Sequence, residues 1–544
     1  MSEAMEEIRL SLRRLAVAVL AIVVALAELS WLRAILADIG WGPATLGLLV
    51  GGVAVAPSLG LAAADGVVGF LLRLLAHDPP AEVLPGLWSD EDSVTTRTAI
   101  VVAVRGEPLG PILENLETLL AGLDASRWGD RFAAFVLSET AMLTGSSEVP
   151  ALEAERLAVA AHPRIGYRRR EGGGEPAGIL GFLDGLDGFE FAVVLDAGSV
   201  MAADAVLRLV RILQARRDLG IVQHLTAGLP ATRPFPRLFQ FGDRAVMRIR
   251  ATGQAWWQGD AGSYRGHNAA LRIAPLREHG RVPRRADGAL PGCEAVSAAL
   301  LRAAHWGVMM WPDSRGSYEA GPADVLAFER REALGRGRAW PYRRLILGRG
   351  LLAMGRLHLL RVLWPGLVAP LTVVMAALAA WLAWRGAVAP GGVALFYVAW
   401  LTLHAPKLLG YAELLLRPRA RARYGGTAAL WRSIAAETAF ALLFEAIEPV
   451  SRTLALMLGG AVRRRESRPL GVGEGVLRFL PHTVLGALLW AGFLHAGWTA
   501  VLVAPFIAGL PLAVPFALLT ASPRFGSWLA THGIAAMPEE RARP

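Results

Sequence analysis

Residues 191–201 read Phe191-Ala-Val-Val-Leu-Asp-Ala-Gly-Ser-Val-Met201. The five residues before the aspartate form a short continuous apolar run, which is what a strand buried on both faces carries. The run ends on Asp196, and small residues follow. A carboxylate placed there has two uses. It can cap a following helix, or it can face a ligand beyond the carboxyl edge of a sheet, holding a hard cation that neutralises a phosphate group.

Working outward, Thr98-Ala-Ile-Val-Val-Ala-Val104 is a second β-branched run of this kind, followed by a turn at Gly106-Glu-Pro-Leu-Gly-Pro111 and helical spacing over Ile112–Leu123. Further strands are predicted over Phe132–Leu137 and around Ile165–Tyr167. Strands alternating with helices predict an α/β fold with a parallel, doubly wound sheet. Ligands of such sheets bind beyond the carboxyl ends of the strands, where Glu107, Glu139 and Asp196 all fall.

The remainder of the chain is of another kind. The sequence has 544 residues, 54% of them hydrophobic, and a mean hydropathy of +0.41. That surplus is concentrated in residues 14–76 and 364–521, whereas 80–360 has ordinary globular composition. A bilayer core takes roughly 20 apolar residues per helix, so both apolar regions predict membrane helices around a soluble domain.

The expected organisation is membrane helices in 1–79 (spans at about 15–36 and 44–76), an α/β domain in 80–339, an interfacial helix in 340–363, further spans in 364–525, and a tail in 526–544. Segment 433–462 has arginine-rich flanks and holds Glu437, Glu445, Glu448 and Pro449, a pattern that predicts a re-entrant or interfacial pair of helices. The net charge is +10, carried by arginine; Lys407 is the single lysine. The arginines flank apolar segments, so they predict orientation with both termini cytoplasmic and a lipid-bilayer partner, not nucleic acid. Cys293 is the single cysteine, which excludes an intrachain disulfide.

With these residues in place, the chain resembles the glucans biosynthesis glucosyltransferase H family, membrane-bound members of glycosyltransferase family 2. The resemblance lies in Thr98-Ala-Ile-Val101, Phe135-Val-Leu-Ser-Glu-Thr140, Tyr167-Arg-Arg-Arg170, Val194–Met201, Gly266-His-Asn-Ala269, Val296–Arg302, Trp306-Gly-Val308 and Gly316-Ser-Tyr-Glu319. It extends to Pro406-Lys-Leu-Leu409, Tyr424-Gly-Gly426 and Met537-Pro-Glu-Glu540 in and beyond the membrane part.

It implies a nucleotide-sugar (GT-A-like) domain in a polytopic protein of the bacterial inner membrane. The implied activity is polymerisation of glucose from UDP-glucose onto a glucan acceptor, with inversion, Mg²⁺ as cofactor and extrusion of the chain; periplasmic glucan-processing proteins are implied partners. The roles implied are Glu107 and Glu139 toward uridine and ribose, Asp196 as first carboxylate of the D-x-D metal motif, and Glu294 as general base. Gly266, His267 and Asn268 would shape the acceptor side.

The departures fall in one pocket. The second D-x-D carboxylate is Gly198, and no lysine stands in Gly172-Gly-Gly-Glu-Pro-Ala-Gly178. The base is Glu294 where the family has aspartate, and Cys293 replaces the preceding histidine. Glu332-Ala-Leu-Gly335 occupies the gapless position of the acceptor-binding Arg-Arg-Trp; a five-residue shift offers Arg336-Gly-Arg-Ala-Trp340, with Trp340 on the acceptor side. Two readings stay open: a working glucosyltransferase, and a paralogue that keeps the fold as a binding or assembly partner. Trp256-Trp257 is read either as a sugar-stacking platform or as surface cover, and Cys293 as a packed thiol.

Overall fold

The computed structural model describes residues 3–76, 78–83, 93–104, 107–138, 151–169, 178–280, 293–348, 350–457 and 471–541. The soluble domain is built on a seven-stranded sheet in the order β3-β2-β1-β4-β8-β6-β9. The strands are β1 (Thr98–Val104), β2 (Phe132–Ser138), β3 (Ile165–Arg169), β4 (Phe191–Asp196), β6 (Leu219–His224), β8 (Ala269–Arg272) and β9 (Gly307–Trp311). A small second sheet joins β5 (Ser199–Met201), β10 (Ser317–Glu319) and β7 (Ala227–Gly228).

The apolar runs behave as expected. Ile100, Val101 and Val102 are almost wholly buried, each such side chain contributing about 1.5–3 kcal/mol of transfer free energy. β1 pairs in parallel with β2 and β4, and Ala103 lies opposite Asp196.

The sheet is nevertheless not all parallel, because β8 runs antiparallel to both β4 and β6. This corrects the doubly wound parallel expectation. Ala269-Ala-Leu-Arg272 carries no β-branched residue, so propensity hides it. The positive φ of Gly266 and Asn268 forms the turn that leads into it.

Among the described residues, four helices are long and apolar enough to cross a membrane: Met5–Ile39, Pro43–Leu75, Ala353–Trp384 and Val472–Leu494. Gly391–Leu403 and Ala405–Leu416 form an apolar pair bent by 65°, the form of a broken span or of a re-entrant loop. The protein is therefore a membrane protein.

Two expectations change here. Residues 340–363 are not one interfacial helix: a 3₁₀ turn over Trp340–Leu345 is followed by a break at Gly350 (φ +108°), and Arg356 and Arg361 belong to the start of Ala353–Trp384. Nor is 433–457 a helix pair, since Thr427–Met457 is one continuous helix through Pro449; residues 458–462 lie outside the described residues. Its acidic residues need no break to reach water, because neighbours match them. Lys407 Nζ donates to Glu437 at 2.9 Å, and the Tyr411 hydroxyl also donates to Glu437. His404 and Trp400 contact Glu445 at 2.8 and 3.2 Å.

The helices also seat the soluble domain. Asp65, buried in Pro43–Leu75, accepts from Gln254 (2.7 Å), Trp257 (2.9 Å) and Arg361 (3.0 Å). Trp256 lies under the Arg13 guanidinium. The tryptophan pair thus joins the Pro234–Gln258 helix to the membrane helices and offers no sugar platform. Cys293 is buried among Val296, Ala339, Tyr342 and Leu359, a packed thiol.

A second junction runs through the Val325–Ala339 helix, where the Ser451 hydroxyl donates to Glu329. Burial pushes the Glu329 carboxyl up to about 7, against the opposing effects of the Ser451 hydrogen bond and of Arg478. A carboxyl raised above its unfolded value stabilises fully below about pH 4.5, and that stability is lost as pH rises through about 7. Thermal unfolding in detergent should therefore show a loss on the order of 1 kcal/mol between pH 6 and pH 8. Glu329→Gln should flatten that slope; an unchanged slope in the variant would assign it to another group.

Candidate active site

The site is assembled at the carboxyl edge of β4, where the second sheet folds over the first. Asp196 is 59% exposed in its side chain. A turn and then β5 follow it, so no helix begins there for it to cap. Gly198 decides what comes near. Its carbonyl accepts from Ala320 N at 2.9 Å, and a Cβ at 198 would lie 3.2 Å from the Ala320 Cβ. The close approach that crowds a second D-x-D carboxylate draws the end of β10 toward Asp196.

That strand delivers a residue to which the sequence reading gave no role. Glu319 Oε2 lies 3.3 Å from His267 Nε2, which is in turn 4.0 Å from Asp196 Oδ2. Arg331 Nη2 donates to Glu319 at 2.9 Å. Burial would raise the Glu319 carboxyl, but Arg331 and His267 hold it below its ordinary value. His267 Nδ1 faces Asn268 Oδ1 at 3.2 Å. Asn268, fully buried at φ +50°, donates to Ser317 Oγ (2.9 Å) and the Tyr318 carbonyl (3.3 Å). The Gly266-His-Asn268 turn is thereby tied to β10 on one side.

On its other side it meets Glu294, the first residue of the Glu294–Ala303 helix. A Cβ at Gly266 would come within 2.6 Å of Glu294 Cγ, and the φ of +96° also favours glycine. Tyr264 is buried nearby; burial first, then the charges of Glu294 and Asp196, push its phenol well above the usual range. Beside Asp196 opens a cleft lined by Val102, Ile112, Asn115, Leu195 and Ser199.

The structure thus gathers Asp196, Gly266, His267, Asn268 and Glu294. Glu107 follows β1 at the same sheet edge, and Glu139 lies outside the described residues. Trp340 is 43% exposed, with Arg343 over its indole ring, and its neighbours Ala339 and Tyr342 pack with Cys293, the residue before Glu294. The shifted Trp340 is thus packed against Arg343, while Arg331, one residue before the gapless motif position, reaches Glu319.

Among the described residues no three His, Cys, Asp or Glu side chains form a ready metal cluster. The donor set still suits Mg²⁺, which retains several waters and is bound through one or two carboxylates together with substrate phosphates.

No family model matches the chain. Glucans biosynthesis glucosyltransferase H of Xanthomonas oryzae is 30% identical over 526 residues, covering 88% of this chain and 80% of the relative. The protein of that name from Xylella fastidiosa is 30% identical over 494 residues, covering 82% and 76%. A mannosyltransferase from Pyrobaculum calidifontis, solved with GDP-Man and Mn²⁺, aligns with 65% of this chain and 98% of its own at 18% identity and a TM-score of 0.39. Identity of this extent, running through both the soluble domain and the membrane helices, shows that the chain belongs to the glucans biosynthesis glucosyltransferase H family.

Proposed function

We propose that this glycosyltransferase polymerises glucose from UDP-glucose by an inverting transfer and passes the growing glucan across the bacterial inner membrane, with both termini cytoplasmic. The observation that carries the reading is the convergence of Asp196, His267, Glu319 and Glu294 at one sheet edge. Asp196 would hold Mg²⁺ on the donor diphosphate, where the cation offsets the charge of the leaving group. We assign Glu107, which follows β1 at the same sheet edge, and Glu139 to the base and ribose of the donor. Glu294 removes the proton from the acceptor hydroxyl as it attacks the anomeric carbon. His267 and Asn268 orient the acceptor, and Arg331 keeps Glu319 ionised facing them.

The test is UDP release from UDP-glucose by the purified protein with Mg²⁺, alongside calorimetric binding of UDP-glucose. Turnover with glucan formation is expected, and substituting periplasmic glucan-processing partners should be unnecessary for the transfer step. The absence of both turnover and binding overturns the reading. Binding without turnover supports the second reading, a catalytically degenerate assembly partner, which the crowding at Gly198 favours.

A further inference from the structure

The last residues described pack against the Pro234–Gln258 helix. Arg237 and Arg244, on the Pro234–Gln258 helix, are 2% and 8% exposed and take their counter-charges from the last residues described. Glu539 accepts from both Arg244 Nη atoms at 2.7 Å, the bidentate geometry of a strong charge-assisted pair. Glu540 accepts from Arg237 Nη1 at 2.9 Å, and Arg237 Nε donates to the Ile534 carbonyl at 2.7 Å. Ala535 N donates to Ser433 Oγ at 2.9 Å, and Ala535 and Met537 are buried. Residues 534–540 are thus wedged between the Pro234–Gln258 helix and the membrane-side Thr427–Met457 helix.

One contact leads from this wedge into the site. The Tyr318 hydroxyl donates to Glu539 Oε1 at 3.4 Å. Tyr318 is the middle residue of β10; Ser317 before it accepts from Asn268, and Glu319 after it meets His267 and Arg331. β10 is the middle strand of a sheet whose members are only two or three residues long, so side-chain anchors add to a short ladder in setting its place.

We propose that the C-terminal segment is a positioning strap for the active site, with Glu539 acting through Arg244 and Tyr318 to set β10 so that Glu319 faces His267. Glu539 touches no substrate in this reading; it is a positioning residue. The inference rests on the transferase reading above for its kinetic consequence, but its structural core is testable without turnover.

The full-length protein in detergent is compared with Glu539→Gln, Glu539→Asp, Tyr318→Phe and the Tyr318→Phe/Glu539→Gln pair. Hydrogen exchange of the peptide spanning residues 314–320 should rise in Glu539→Gln while strands β1 and β4 keep their protection. Where UDP-glucose is turned over, kcat should fall about tenfold from misplacement of Glu319, with the donor KM within about twofold. Glu539→Asp should recover part of the loss. The double variant should fall short of the product of the single effects, because both act through one contact.

Unchanged exchange in β10 overturns the strap, whether or not the protein turns over UDP-glucose. So does a uniform rise across all strands, which is general destabilisation and nothing specific to the site. Should Glu539→Gln fail to fold, Tyr318→Phe, which removes one hydroxyl, carries the same exchange test by itself.

Discussion

Asp196→Ala is expected to lower glucosyl transfer on the order of 10³-fold, the scale of losing electrostatic stabilisation of a developing charge. In a pocket with two D-x-D carboxylates, the loss of one leaves a partner. Here position 198 is glycine, and its Cβ direction meets Ala320. Glu319 is no ready substitute, since its Oε2 already serves Arg331 and His267. In the proposed reading Asp196 is therefore the exposed carboxylate on which cation binding at this edge would depend. Calorimetry gives a second readout: UDP affinity of the wild type should rise when Mg²⁺ is added, and that increment should vanish in Asp196→Ala. Equal Mg²⁺ enhancement in the two proteins would move the cation site elsewhere.

The aspartate was legible because a buried strand leaves a plain mark, a β-branched run ending abruptly on a charge. Its partner was not. Glu319 lies on a three-residue strand whose place is set by the Ala320–Gly198 hydrogen bond and by Asn268. Neither contact has a periodicity or a spacing, so Gly198 reads in sequence simply as a lost ligand. In the fold it is also the residue that lets β10 approach. Arg331 escaped for a related reason. Aligning Glu332-Ala-Leu-Gly335 against a motif directs attention to what is missing, whereas the guanidinium one position earlier is what reaches the site.

The membrane part divides along the same line. Hydropathy marked the long helices, because each is a run of apolar side chains wide enough for a bilayer. It misread Thr427–Met457, where Glu437 and Glu445 suggested contact with water. Their partners Lys407, Tyr411, His404 and Trp400 lie on other helices, and a one-dimensional pattern carries no record of such pairings.

Glu413 is the sharpest case. It closes the apolar Ala405–Leu416 helix and is 1% exposed in its side chain. Arg73 Nε lies 3.2 Å from it, Arg248 Nη2 3.0 Å and Arg417 Nε 3.6 Å. Arg73 and Arg248 stand 340 and 165 residues away along the chain. One carboxylate thus serves as shared counter-ion to three guanidiniums contributed by a membrane helix, by the Pro234–Gln258 helix and by the basic segment after Leu416. Removing one member of a buried ion pair costs about 3–5 kcal/mol, because the charge left behind stays desolvated. Glu413→Ala strands Arg73, which is 15% exposed, while solvent reaches Arg248 at 23% and Arg417 at 41%, so it belongs at the lower end of that range. The expected result is a markedly lower midpoint of thermal unfolding in detergent, partly recovered by adding Arg248→Ala, which removes one of the stranded cations. Glu413→Gln, which keeps hydrogen-bond acceptance but not the charge, should fall between Glu413→Ala and wild type. A Glu413→Ala protein that unfolds with the wild-type midpoint would mean that water or lipid phosphate already screens the three arginines, and the cluster would then be a surface feature instead of the joint between the soluble domain and the membrane.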